Sequence, residues 1–146
     1  MNLRLLPEHL HIGRAPYAFL LYLAFVFIAP VIRKTPADWA IALGSLAVFL
    51  PMYFRNFWVQ GAEAVLMCTG MALVGFVVFP YNWGATAYMI FAAAGFAFAL
   101  RPSRAVIALA ILSVLITFET LWFNLPPWAW MPGVIGCIAV GGSNIY

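Results

Sequence analysis

Residues 104–128 read RAVIALAILSVLITFETLWFNLPPW. After Arg104, the stretch up to Phe123 contains one ionisable group, Glu119, and it runs out into Asn124 and the pair Pro126-Pro127. Roughly 20 apolar residues in a helix cross about 30 Å of hydrocarbon, and proline denies a helix interior its amide. The spacing therefore predicts one membrane-spanning helix over 104–123 with a sharp stop behind it. Five further runs have the same character, at 17–32, 36–54, 62–79, 85–100 and 128–146. The connections between runs are too short for anything but antiparallel neighbours. The expected fold is all-α: an integral membrane bundle of six antiparallel transmembrane helices, up-and-down, behind an N-terminal tail at 1–16.

Composition agrees. Of the 146 residues, 66% are hydrophobic and 8% charged, against about 45–50% and about 25% in ordinary soluble domains. So few charges cannot cover a water-exposed surface, and the same numbers exclude disorder and a secreted disulfide scaffold. The net charge of +3 comes from single or paired basic residues between apolar runs, which is membrane topology and not nucleic-acid binding. With the N-terminus inside, Arg4, Arg14, Arg55, Arg101 and Arg104 fall on the cytoplasmic side, and Arg33 and Lys34 on the other. That bias places both termini in the cytoplasm and the protein in the cytoplasmic (inner) membrane. An N-terminal signal peptide is disfavoured, since no small-residue cleavage site follows Ile28-Ala29-Pro30.

Local signals mark the breaks. Thr35-Pro36 followed by Asp38 reads as an N-cap, a first-turn proline and a first-turn acid. In Arg101-Pro102-Ser103-Arg104 the proline stops one helix and Ser103 offers a cap for the next. Pro80-Tyr81-Asn82-Trp83-Gly84 is a turn cluster. Pro30, Pro51 and Pro132 lie near span ends, where ending a helix is their cheapest role. The last run closes without a basic anchor, so the expectation is a longer protein of which this is the membrane part.

Candidate functional groups are few. Glu119 lies about 22 Å along its helix from Arg104 at about 1.5 Å per residue, in the outer quarter of the bilayer. An acid there costs a few kcal/mol and is a functional candidate by default. The competing reading is structural: snorkelling, protonation, or pairing with Arg33 or Lys34. Thr117, Thr120 and Asn124 share one face with Ser113, about 120° from Glu119. Their hydroxyls either sense or bond back to the backbone. Gly133, Cys137 and Gly141 repeat every four residues on the last helix, Ala40 and Gly44 on the second, and Ala87, Ala94 and Gly95 thin the fourth. Small residues let apolar helices approach closely. Cys68 and Cys137 read as packing residues and not a disulfide, a metal pair or a nucleophile. His9 and His11 lack a third ligand, so no metal site is expected.

Several stretches carry a resemblance. Phe49-Leu50-Pro51-Met52-Tyr53-Phe54-Arg55-Asn56-Phe57-Trp58 resembles the second-helix end of the DesK-type membrane sensor histidine kinases. Pro80-Tyr81-Asn82-Trp83-Gly84-Ala85 running to Ala92-Ala93-Ala94-Gly95 is similar too, as is Leu125-Pro126-Pro127-Trp128 running to Gly142-Ser143-Asn144-Ile145-Tyr146. The resemblance covers essentially the whole chain, and the order and spacing of its motifs carry it. It implies the sensor part of a two-component kinase. A cytoplasmic domain after residue 146 would bind ATP and Mg, phosphorylate its own histidine and pass the phosphoryl group to a response regulator. The implied partners are the lipid bilayer, a second copy in a homodimer, and that regulator. This segment itself carries no catalytic residue, cofactor or kinase motif. The stimulus would be membrane state or a lipophilic ligand, with Glu119 and Asn124 near its entrance, and the output helix would give at Gly133, Gly141, Gly142 and Asn144. The alternative is a small complete channel, transporter or membrane-complex subunit.

Overall fold

A computed structural model describes residues 19–145, with the backbone alone at 127–129. The tail at 1–16, with Arg4, Arg14, His9 and His11, lies outside the described residues, as does Tyr146. The described residues are all-helical, with no strand among them. A 3₁₀ segment, Leu20–Phe27, runs into α1, Ile28–Arg33. Then come α2, Pro36–Asn56, and α3, Gly61–Val78. A 3₁₀ turn, Trp83–Ala85, leads into α4, Thr86–Ala99, followed by α5, Pro102–Trp122. Last is α6, Pro127–Gly136, which continues as a π-helical segment, Cys137–Gly141.

Contacts between named residues fix the topology. Asn56 meets Cys68, and Gly75 of α3 lies against Met89 of α4, so α2, α3 and α4 alternate in direction. Gly133 and Gly136 of α6 lie against Thr86 and Ile90 of α4, in the same order, so these two helices run parallel. Ile116 and Leu109 of α5 face Gly133 and Gly141, in reverse order. From α2 to α6 the helices therefore alternate in direction. The central one is α4, short yet buried at Tyr88, Met89, Ala92, Ala93 and Phe96, with contacts to α2, α3, α5, α6 and the first 3₁₀ segment. A helix covered on all sides needs small and apolar residues all round, which explains its Ala-rich sequence.

Length divides the helices into two groups. α2, α3 and α5 are long and apolar enough to cross a membrane, whereas the apolar helices at Leu20–Arg33, Trp83–Ala99 and Trp130–Gly141 are shorter. The 3₁₀ form partly makes up the difference in the first of these, because it rises about 2.0 Å per residue against about 1.5 Å. It also has three residues per turn. Leu20, Leu23, Val26 and Ala29 therefore form one stripe facing the bundle, while Leu21, Tyr22 and Phe25 face out.

The start of α2 is built as its sequence implies. Thr35 Oγ1 accepts the amide of Asp38 at 3.1 Å, and Pro36 occupies the first turn. Two other expectations are corrected. Ser103 is not a cap: α5 begins at Pro102 with Arg101 as its N-cap, because proline already fixes the first-turn φ and Arg101 supplies the extended backbone before it. Nor do Pro30, Pro51 and Pro132 end helices. Each lies inside one, with α2 running on to Asn56.

Pro30 shows how that is tolerated. With no N–H, it offers no α-type donor to the carbonyl of Val26, four residues back. Asn82 supplies one from the α3–α4 turn: Nδ2 donates to Val26 O at 2.7 Å, and Oδ1 accepts the amide of Gly84 at 3.1 Å. Gly84 permits the approach, since a Cβ there would collide with the backbone of Phe25 and Val26.

Candidate functional site

Glu119 comes from the last turns of α5, on the face that buries Leu112, Ile116 and Thr120. It is 3% exposed, and its Oε2 has no hydrogen-bond partner among the described residues. Pairing with Arg33 does not occur. Arg33 Nη1 instead reaches Asp38 Oδ1 at 3.4 Å and donates to Tyr81 O at 3.0 Å, while its guanidinium lies 5.2 Å from the Trp83 ring centroid. One arginine thus ties the end of α1 to the start of α2 and to the α3–α4 turn. Lys34 does not pair with Glu119 either. It closes α1 in the left-handed conformation, φ 57°, and is exposed.

The hydroxyls beside Glu119 bond backwards. Ser113, Thr117 and Thr120 donate to the carbonyls of Leu109, Ser113 and Ile116 at 2.9, 2.8 and 2.7 Å. Each thereby satisfies itself within its own helix. Asn124 is exposed and left-handed, φ 53°, just past the end of α5, a conformation that asparagine accepts more readily than most residues. The structure thus brings Glu119 and Thr120 together on the buried face, leaves Thr117 half-buried and sets Asn124 outside.

The small residues of the last helix form a seam. A Cβ on Gly133 would stand 2.9 Å from Thr86 Cγ2, one on Gly136 would collide with Ile90, and one on Gly141 would collide with Leu109. Cys137 is fully buried between them. The i→i+5 form of Cys137–Gly141 releases carbonyls from the α pattern. Val140 O takes up two side-chain donors, Ser143 Oγ at 3.0 Å and Asn144 Nδ2 at 2.7 Å. π segments inside α-helices occur often at functional sites. Gly142, by contrast, has open space around it, and so has Gly44 on α2, whose neighbour Ala40 is exposed.

Sequence reasoning missed the buried polar contact at the α2–α4 crossing. Ser45 Oγ lies 2.9 Å from the Tyr88 hydroxyl and donates to Ala42 O at 3.0 Å. The rings of Phe49 and Tyr88 stack alongside, with centroids 4.6 Å apart. The i, i+4, i+8 spacing of Ser45, Phe49 and Tyr53 was the available signal. Two apolar cavities flank the core. One of about 410 Å³ lies between α3, α4 and α5, lined by Phe76, Met89, Phe96 and Leu112. The other, about 310 Å³, touches Tyr22, Asn82, Trp83, Thr86 and Pro132, and so reaches α6 beside its glycine seam. Arg55 at the end of α2 and Arg101 and Arg104 at the start of α5 fall at the opposite end of the bundle from Arg33 and are exposed. No group of three or more His, Cys, Asp or Glu side chains that could hold a metal occurs among the described residues.

Comparison with protein-family models, curated proteins and solved structures gives no match to any of them.

Proposed function

We propose that this chain is the membrane-embedded sensor of a DesK-type histidine kinase. In this reading all six helices cross the cytoplasmic membrane with both ends inside, and α6 delivers the signal to a kinase that phosphorylates a response regulator. The supporting observation is the seating of α6. It lies on α4 and α5 through Gly133, Gly136 and Gly141 and leaves α geometry at Cys137–Gly141, at the end that this reading turns toward the cytosol. The seam glycines carry no side chains of their own to lock α6 in one register against Thr86, Ile90 and Leu109. Two packings of α6 can therefore lie close in energy, and a ligand or bilayer that favours one shifts the population.

Unequal helix lengths offer the bilayer its lever. α2 and α5, at 21 residues each, span about 32 Å at about 1.5 Å per residue. The shorter α6 does not. Mismatch costs a fraction of a kcal/mol per Å, so thickening or thinning the membrane acts differently on the two groups and moves one against the other. The apolar cavity beside Thr86 and Pro132 would let a lipophilic molecule act on the same seam.

The test begins with the reading frame beyond Tyr146, which should encode a basic helical linker and then a glutamate-rich helix carrying a histidine. The full-length protein, in liposomes of short or long acyl chains with labelled ATP, should label itself on histidine to an extent that follows bilayer thickness. A stop codon directly after Tyr146 would refute this reading and leave a small membrane protein such as a channel, transporter or complex subunit. Labelling indifferent to the bilayer would refute the proposed stimulus.

A further inference from the structure

Where α2 turns into α3, a cavity of about 710 Å³ opens, its polar wall formed by Arg55, Asn56, Gln60 and Glu63 and its apolar wall by Phe98 and Ala99 of α4. Arg55 donates through Nε and Nη2 to the same oxygen, Oε1 of Glu63, at 3.1 and 2.7 Å. Because both bonds end on one carboxylate oxygen, the guanidinium keeps Nη1 and the carboxylate keeps Oε2 for a further partner. The side chains are 58% and 49% exposed, so an incoming group can reach both. Asn56 is held from below, where the Cys68 thiol donates to its Oδ1 at 3.5 Å. Gly95 makes room for that thiol, since a Cβ there would stand 2.5 Å from the sulfur. The amide nitrogen of Asn56 remains as a donor.

We infer that this cavity takes the headgroup of a phospholipid carrying a primary amine, phosphoethanolamine, with its acyl chains against Phe98. The phosphate lies on Arg55 Nη1 and the Asn56 amide, and the ammonium on Glu63 Oε2 and the Gln60 side chain. The charges select it. The wall carries one cation and one anion side by side, so a purely anionic headgroup loses to Glu63 what it gains from Arg55. A zwitterion laid antiparallel gains at both ends without breaking the protein's own pair. A quaternary ammonium has no N–H for the carboxylate, so choline satisfies only half of the site. Phe98, 75% exposed, supplies apolar surface at the rim. The inference rests on the membrane reading, which is tested separately by whether the protein floats with vesicles after alkaline washing.

The experiment is native mass spectrometry of the whole chain released from vesicles with equal amounts of phosphatidylethanolamine, phosphatidylcholine and phosphatidylglycerol of identical acyl chains. The ethanolamine lipid should be retained about threefold over each of the others, the scale expected of an exposed charge pair. Glu63→Gln should bring the ethanolamine-to-glycerol ratio to about one, and Arg55→Gln should lower retention of all three. Arg55→Lys should weaken the preference, because an ammonium lacks the planar fork that holds Glu63 on one edge and the phosphate on the other. Circular dichroism confirms that each variant is folded, and the wild-type competition stands if one is not. Soluble glycerophosphoethanolamine at equal concentration should not displace the lipid. Equal wild-type retention of the three lipids overturns the inference, and so does displacement by the soluble compound, even if the protein floats with membranes.

Discussion

Replacing Gly84 by alanine tests how the first helix is held. The new Cβ would stand 2.5 Å from the carbonyl carbon of Phe25 and 2.8 Å from Val26 Cα, and would collide with the Phe25 oxygen. These are backbone atoms, so no side chain can rotate away. Restoring ordinary contact, which begins near 3.4 Å, moves the 3₁₀ segment out by about 1 Å. The same movement stretches the bond from Asn82 Nδ2 to Val26 O from 2.7 Å past the limit of a hydrogen bond. Overpacking costs about 1–3 kcal/mol, and an unpaired buried amide about 1–3 kcal/mol more. The loss is therefore about 2–6 kcal/mol, comparable with the whole stability of a small domain. Denaturant-induced unfolding in micelles, followed by circular dichroism, measures it. Gly44→Ala is the control: nothing lies within 4 Å of a Cβ there, and alanine should gain up to about 1 kcal/mol in helix propensity. Equal stabilities for the two variants would refute this account of the docking.

The remaining expectations concern single contacts. Glu119→Gln should leave stability unchanged or raise it, because a buried acid with an unpartnered oxygen gives up no ion pair; a loss above about 2 kcal/mol in the same unfolding assay would contradict this. Thr35→Ala should cost about 1 kcal/mol through the lost cap of α2, with less helix near residue 36 by hydrogen exchange. A double-mutant cycle of Ser45→Ala and Tyr88→Phe should give a coupling of about 0.6 kcal/mol, the usual scale for hydroxyl bonds between apolar helices. Gly133→Ala, pressed against the stiff Thr86, should destabilise by about 1–3 kcal/mol, whereas Gly142→Ala should not, as thermal melts of the pair would report.

The sequence declares what is local. Apolar run lengths separated by short polar breaks announce six helices, and Thr35-Pro36 with Asp38 announces the start of α2 down to its hydrogen bond. Contacts between distant residues are not declared. Asn82 looks like a turn residue, and only the folded chain shows that it replaces the donor lost at Pro30, whose effect falls on Val26, 56 positions away. Ser103 looks like a cap as good as Thr35 until Pro102 takes the first turn. Arg33 and Glu119 are opposite charges near one end of the bundle, and charge alone pairs them. Geometry gives Arg33 to Asp38 and Tyr81 instead, because α1 ends beside α2 and the α3–α4 turn. The seam of α6 was visible as a four-residue repeat, but the same spacing at Ala40 and Gly44 meets open space. Spacing names a face without naming what covers it.

Topology is the claim on which the rest depends, and paired reporters fused after Tyr146 measure it directly. A fluorescent protein that matures only in the cytosol should light up there, and alkaline phosphatase, active only outside, should stay silent. Active phosphatase with a dark fluorescent partner would place the end of α6 on the outer face and contradict the account.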